Sequence, residues 1–310
     1  GMHGSKVSSY AIENCDLFLA LGTRFSDRVL CHTESFARNA RILQIDIDPA
    51  EINKNIPVFA SVAGDLKAVL SALLLQLPDG ISHSEWMGSV QAVKADYPVD
   101  RPLGGDTMPF AVLSTLHDLA PDAIVTTEVG QHQMWVGQYF HFSHPRHFLT
   151  SGGLGTMGYG LGAAIGAQVA HPGEHVVNVA GDGSFFMNLN ELATAVTYGL
   201  PVIELIMNNG TLGMVHQWQQ IFYQEHYSHS ILDRQTDLAA LARAFGALPF
   251  TIAQPADIRP VLSEALQSGR PCVVNCLIDP GENVLPMVPA GKPVGDPILS
   301  LEKGGGNETH

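Results

Sequence analysis

Residues 175–209, HVVNVAGDGSFFMNLNELATAVTYGLPVIELIMNN, decide the fold. His175 to Ala180 is a β-branched run that stops at Gly181-Asp182-Gly183, the pattern of a buried strand entering a turn. From Asn188 to Tyr198, Leu189, Leu192, Ala193 and Val196 recur at helical spacing, and Gly199 and Pro201 end the run. A second apolar stretch follows, Val202 to Met207. Strand, helix and strand make one βαβ unit, and its right-handed crossover sets the two strands parallel. Asp182 and Asn209, 27 positions apart, then both emerge at strand carboxyl ends, where open α/β sheets bind ligands.

The predicted fold class is α/β with two parallel-sheet domains. Residues 1–78 read as a partial Rossmann-like central domain: strands from Cys15 to Leu21 and from Ile42 to Ile47, then a leucine-patterned helix from Leu66 to Leu77. Pro78, Gly80, Pro98, Pro102 and Gly104-Gly105 mark 79–106 as a linker. The second domain spans 107–290 and is predicted to be an α/β/α layer structure. Helices are expected at Pro109–Ala120, near Asp237–Phe245 and near Asp257–Ser268, with strands at Ala123–Thr127 and Cys272–Ile278. A tail, 291–310, is expected to be partly disordered over its last ten residues.

Composition narrows the functional classes. A formal charge of −14 over 310 residues argues against nucleic acid or an anionic membrane as partner. An anionic ligand must then be held locally, by metal and backbone amides. The four cysteines have no zinc-type spacing, and Cys272 and Cys276 fall on one face of a strand as buried thiols. Uncharged Ser151–Ala170 is long enough for a membrane span, but its seven glycines fit close packing inside a protein better. A cytoplasmic protein is the expectation.

The Asp182-to-Asn209 pairing resembles the diphosphate-anchoring motif of thiamine diphosphate enzymes. Longer runs narrow the resemblance: Gly130-Gln131-His132-Gln133-Met134-Trp135, Thr150 to Gly158 (TSGGLGTMG), Gly213 to Gln219 (GMVHQWQ) and Pro286-Met287-Val288-Pro289 are similar to the large catalytic subunit of acetohydroxyacid (acetolactate) synthase. Gly1-Met2-His3-Gly4, Leu21 to Val29, Asp46-Ile47-Asp48-Pro49 and Gly64-Asp65 extend the likeness into the first domain. The resemblance implies Mg²⁺ held by Asp182, Asn209 and the Thr211 carbonyl, since two side-chain oxygens, a carbonyl and diphosphate oxygens suit octahedral coordination. It places Val129, Gly130, Gln131, His132, Gly181, Gly183 and Ser184 at the diphosphate. Gly155 would offer its carbonyl to the aminopyrimidine, and Met157 would wedge the cofactor into a bent shape. Met214, Val215 and Trp218 would line the pocket that selects the acceptor. In the first domain His3, Gly22, Arg24, Val29, Asp46 and Asp65 would touch FAD, although Ser26 stands where relatives usually carry Asp.

The implied reaction is decarboxylation of pyruvate and joining of the remaining two-carbon unit to a second 2-keto acid, pyruvate or 2-ketobutyrate, as in branched-chain amino acid biosynthesis. The implied assembly is a homodimer through the second domain, with a regulatory subunit as a candidate partner. Full-length synthases begin with a further domain that supplies an activating glutamate. The expectation is that this chain starts within the central domain and is inactive or weakly active alone. Three readings of such a chain stay open: a fragment, the product of a split gene that assembles with a separate pyrimidine-binding chain, or a non-catalytic binding module. Another enzyme of the same cofactor class, such as a pyruvate oxidase or 2-keto acid decarboxylase, is the remaining alternative.

Overall fold

The computed structural model describes residues 1–103 and 105–301. The chain divides into two units, Gly1–Gly104 with Leu285–His310, and Gly105–Val284.

The second unit is built on a six-stranded, all-parallel sheet. Its strands are β4 (Ile124–Thr127), β5 (Phe148–Thr150), β6 (Val176–Gly181), β7 (Ile203–Asn208), β8 (Leu248–Ile252) and β9 (Cys272–Leu277), in the order β5-β4-β6-β7-β9-β8. Central β6 and β7 are buried along nearly their whole length because β-branched and aliphatic residues face both helical layers. Val177, Val179, Leu205 and Met207 join one core with Val112, Leu116 and Trp135. Val176, Ala180 and Ile206 join the opposite core with Leu161, Phe185 and Leu192. The register Gly181↔Met207 brings the next residues of both strands to the same edge.

The first unit holds a smaller parallel sheet, β1 (Leu17–Leu21), β2 (Arg41–Asp46) and β3 (Ala60–Ala63), in that order. Ala20, Phe25, Phe36, Ile42 and Ile56 close its core. Leu17, Leu19 and Leu21, on the other face of β1, are exposed.

The elements depart from the sequence expectations in three places. The helix expected from Asn188 begins at Asp182, breaks at a 3₁₀ turn over Leu189–Glu191 and resumes as Leu192–Thr197. Ser184 Oγ accepts from Gly181 N–H at 3.2 Å and caps the earlier start, so Gly-Asp-Gly is a strand-to-helix junction and not a free turn. The supposed linker contains the helix Ser84–Asp96, whose Trp86 stacks on Tyr10 at 6.2 Å between ring centres. Described residues 285–301 cluster with the first unit, whereas the sequence reading carries the second domain to 290. Val288 N–H donates to the Met2 carbonyl (2.7 Å), Lys6 Nζ to the Gly295 carbonyl (2.7 Å), and Met287 and Val288 are fully buried. The expected disorder lies, but for Leu301, outside the described residues. Ser151–Ala170 splits into a loop and the helix Gly160–Ala170, and among the described residues no helix is long and apolar enough to cross a membrane.

A polar ladder crosses the centre of the large sheet. Thr126 Oγ1 donates to Asn178 Oδ1 at 2.9 Å, and Asn178 Nδ2 reaches both Glu204 oxygens at 2.9 Å. Burial pushes the Glu204 carboxyl well above the ordinary carboxylate range. Its folded-state pKa lies above the unfolded value, so the stability it contributes is complete below pH ~4 and fades as pH rises toward the folded pKa. Glu204→Gln is therefore expected to match the wild type near pH 4 and to exceed it in stability at pH 8, as read by urea denaturation. A wild-type advantage that grows with pH would contradict this account.

Candidate functional site

At the carboxyl ends of β6 and β7 the two signature residues meet. Asp182 is the first residue of its helix and only 5% exposed, and its carboxyl accepts a hydrogen bond from the Asn209 backbone. Its Oδ1 has no hydrogen-bond partner among the described residues. Arg234 donates through Nη1 to the Asp182 carbonyl (3.0 Å), lies 4.0 Å from Oδ2 and stacks on Phe186. Burial pushes the Asp182 carboxyl up to about 6, against the opposing pull of Arg234 and the backbone N–H groups of Asp182, Gly183 and Asn209. A buried carboxylate with an unused oxygen is costly without a cation, which is the chemistry of a metal ligand.

Asn209 is fastened on both sides of its amide. Its Oδ1 accepts from Thr211 N–H (3.1 Å) and Thr211 Oγ1 (2.9 Å), and its Nδ2 donates to Gln131 Oε1 at 3.1 Å. Gln131 Nε2 continues to Gln217 Oε1 (2.9 Å) and to the Glu282 carbonyl (3.0 Å). Gln217 in turn exchanges hydrogen bonds with the backbone of Val284. This relay needs a glycine at 213, because a Cβ there would collide with Gln131 Oε1 and press on Asn209 Nδ2.

Beside Asn209 lies a cavity of about 110 Å³. Of the residues predicted for the cofactor or acceptor, Val129, Gly130, Gln131, His132, Met157, Gly181, Gly183, Ser184, Asn209, Thr211, Met214 and Val215 line it. Three predicted residues do not, Asp182 among them, although Gly181 and Gly183 on either side of it do. Gly155 is exposed in its loop, and Trp218 packs edge-on against Phe222 at 5.2 Å. Trp135, Met207, Leu212 and Gly213 also form the wall, unassigned from sequence. Trp135 was within reach of pattern reading, since it falls one helical turn after Gln131 on the helix Gln131–Tyr139. Arg234, 52 positions beyond Asp182, had no local signal.

The cavity is small beside the ~300 Å³ at which pockets for organic ligands begin. A volume of that size suits the phosphate end of a cofactor with its metal, the rest extending beyond it. His132 is buried at its edge, its ring hydrogen-bonded to the Glu128 backbone while Nε2 has no partner among the described residues. Desolvation brings its pKa down to about 3, so the ring is neutral at pH 7. A ring that gives its one proton to a carbonyl presents a lone pair at Nε2, suited to a metal-bound water and not to an anionic oxygen.

The first-unit residues form a looser set. Gly22 follows β1, Asp46 ends β2, and Asp65 lies two residues beyond β3, all at the carboxyl edge of the small sheet. Asp46 Oδ1 accepts from Asp48 N–H (3.0 Å) and Asp65 caps the helix Leu66–Leu74 through Ala68 N–H (2.9 Å), so both acids have local structural duties. Arg24 is exposed, Val29 half-buried, and burial lowers the pKa of His3 to about 4.

Comparison with known proteins agrees with this geometry. Residues 128–276 match the model described as "Thiamine pyrophosphate enzyme, C-terminal TPP binding domain", and residues 1–73 match "Thiamine pyrophosphate enzyme, central domain". The chain belongs to the thiamine pyrophosphate enzyme family. It is 45% identical over 297 residues to the acetolactate synthase large subunit of Parasynechococcus marenigrum (strain WH8102), covering 94% of this chain and 48% of that protein. It is 43% identical to the acetolactate synthase isozyme 2 large subunit of Escherichia coli (strain K12), covering 94% and 53%. The probable acetolactate synthase large subunit of Methanocaldococcus jannaschii is 41% identical, covering 94% and 51%. The chain spans about half the length of the curated relatives it matches. Within this chain, the large-sheet unit contains the match to the TPP-binding domain and the small-sheet unit the central-domain match.

If Asp182 is the metal ligand its motif implies, it must ionise to bind, and loading would release its proton. In the ligand-free protein the Asp182 carboxyl should titrate near 6 by ¹³C NMR, and Mg²⁺ with thiamine diphosphate should move that midpoint below 4. An unshifted midpoint under saturating ligand would remove Asp182 from the metal.

Proposed function

We propose that the chain supplies the diphosphate- and Mg²⁺-binding part of an acetolactate synthase, which decarboxylates pyruvate and joins the two-carbon remainder to a second 2-keto acid. The observation that carries this reading is the buried Asp182 oxygen with no partner among the described residues, set against Asn209 at the neighbouring strand tip. Asp182, Asn209 and the Thr211 carbonyl hold the metal, an all-oxygen set that suits Mg²⁺. Backbone near Gly130, Gly183 and Ser184 faces the diphosphate. Met157 fills the cavity beside the ring portion, while Met214 and Val215 keep the acceptor side apolar. Removing water there favours loss of carbon dioxide, because the carboxylate's charge is dispersed as the bond breaks. Bound thiamine diphosphate would supply the carbon nucleophile and the electron sink for that step.

The same reading extends to FAD at the carboxyl edge of the small sheet, to a homodimer formed through the large-sheet unit, and to a cytoplasmic location, in keeping with four free cysteines. The names of the relatives favour a synthase over a pyruvate oxidase, a simple decarboxylase or a module without catalysis.

Calorimetric titration of the 310-residue chain with thiamine diphosphate is expected to show binding with Mg²⁺ and little without it. Asp182→Ala and Asn209→Ala should each weaken uptake by about 100-fold or more, since even residues behind metal ligands are worth 10- to 100-fold. Uptake that ignores Mg²⁺ or either substitution would end the proposal. Light scattering should give twice the chain mass at high concentration, and a monomer at every concentration would remove the dimer from it.

A further inference from the structure

The loop carrying Gly155 and Met157 is tied down by one residue that does not line the cavity. Glu128 follows β4 directly and is 1% exposed. Its Oε2 accepts the Gly158 N–H at 2.5 Å, and its Oε1 accepts those of Gly160 (2.8 Å) and Leu161 (3.2 Å). Hydrogen bonds to a charged oxygen are roughly twice as strong as neutral ones. The carbonyls of the same segment are fastened as well. Asn188 Nδ2 donates to the Gly158 carbonyl (3.1 Å), and the Thr126 hydroxyl, whose one proton is shared with Asn178 Oδ1, lies 3.1 Å from the Gly160 carbonyl. Gly160 itself must be glycine, because a Cβ would collide with Asn178 Oδ1 and with the Thr127–Glu128 backbone.

At its other end the loop is held by Ser151, whose carbonyl accepts Gly155 N–H and whose Oγ accepts Thr156 N–H, each at 3.0 Å. Between these ties the chain is open to water, with Leu154 89% exposed. Met157 sits at the junction. Its carbonyl belongs to the same planar peptide as the N–H that Glu128 grips, so the grip orients Met157 toward the cavity.

We propose that Glu128 is a positioning residue for the ring portion of the cofactor: by clamping the Gly158, Gly160 and Leu161 amides it sets where Met157 enters the cavity, leaving the diphosphate anchor untouched. This role rests on the reading that the cavity takes thiamine diphosphate. It differs from plain capping of the helix Gly160–Ala170, and the two roles separate with a pair of ligands that share only the diphosphate.

Wild-type, Glu128→Gln and Glu128→Ala chains are titrated calorimetrically with Mg²⁺ plus thiamine diphosphate and, separately, with Mg²⁺ plus inorganic pyrophosphate. Both variants should lose about tenfold or more in affinity for thiamine diphosphate, Gln less than Ala because it keeps one acceptor. Pyrophosphate affinity should stay within about twofold of wild type. Equal losses for both ligands would reduce Glu128 to a structural cap, and unchanged affinity for thiamine diphosphate would remove the role altogether. If Glu128→Ala does not fold, the Gln variant decides by the same comparison. A wild-type chain that binds neither ligand would overturn the cofactor reading and this role with it, whereas a wild type that binds and a variant that binds equally well overturn this role alone.

Discussion

The site depends on one pairing, the parallel register of β6 against β7. Because Gly181 faces Met207 across that pair, the residues just beyond the strand tips come within hydrogen-bonding distance. Neither Asp182 nor Asn209 would form a site by itself. The pairing is kept by apolar side chains in two cores, one on each side of the sheet. A one-residue slip would exchange the faces of every side chain in the strand, so the register is held as strongly as the burial itself.

Two kinds of polar group manage the surroundings. Asn209, Gln131 and Gln217 form a string of neutral amides, whose bonds orient each other without a charge to desolvate. Asp182, Glu128 and Glu204 are carboxyls in poor solvent, and burial raises the pKa of each. They meet that cost differently. Glu204 is favoured in its protonated form by burial, against the pull of the Asn178 amide, Glu128 is surrounded by backbone N–H groups, and Asp182 keeps an oxygen free among the described residues. Of the three, the carboxyl with an oxygen lacking a partner among the described residues stands between Gly181 and Gly183, which line the cavity, and a cation would complete it.

Much of this was legible in the sequence, and the limits have physical causes. The β-branched runs before Asp182 and Asn209 gave both strands to within a residue, because buried parallel strands are continuous apolar stretches. The helix Ser84–Asp96 escaped because prolines and glycines punctuate its flanks and no strong apolar stripe marks it, and what holds it includes a stacking partner, Tyr10, far away in sequence. The packing of 285–301 on the amino-terminal segment is a contact across nearly the whole chain, for which no local pattern exists. Within the site, Met214 and Val215 fell on the cavity as the motif implied, but Trp218 lies one helical turn further on and turns toward Phe222. Glu128 carries no local sequence signal, since its partners are backbone amides of residues 30 and more positions ahead.

The tethering of Asn209 has a chemical side as well. An asparagine followed by glycine is prone to spontaneous deamidation, since the unhindered glycine nitrogen can attack the side-chain carbonyl and close a succinimide. Here Gly210 N–H is engaged by Asn208 Oδ1 at 3.2 Å, and the Asn209 amide is held by Thr211 on one side and Gln131 on the other. These bonds restrain the rotation that would bring the glycine nitrogen onto the side-chain carbon. The hydrogen bonds that shape the pocket also slow the ageing of its most vulnerable bond, so the folded chain should outlast its unfolded form as an intact amide.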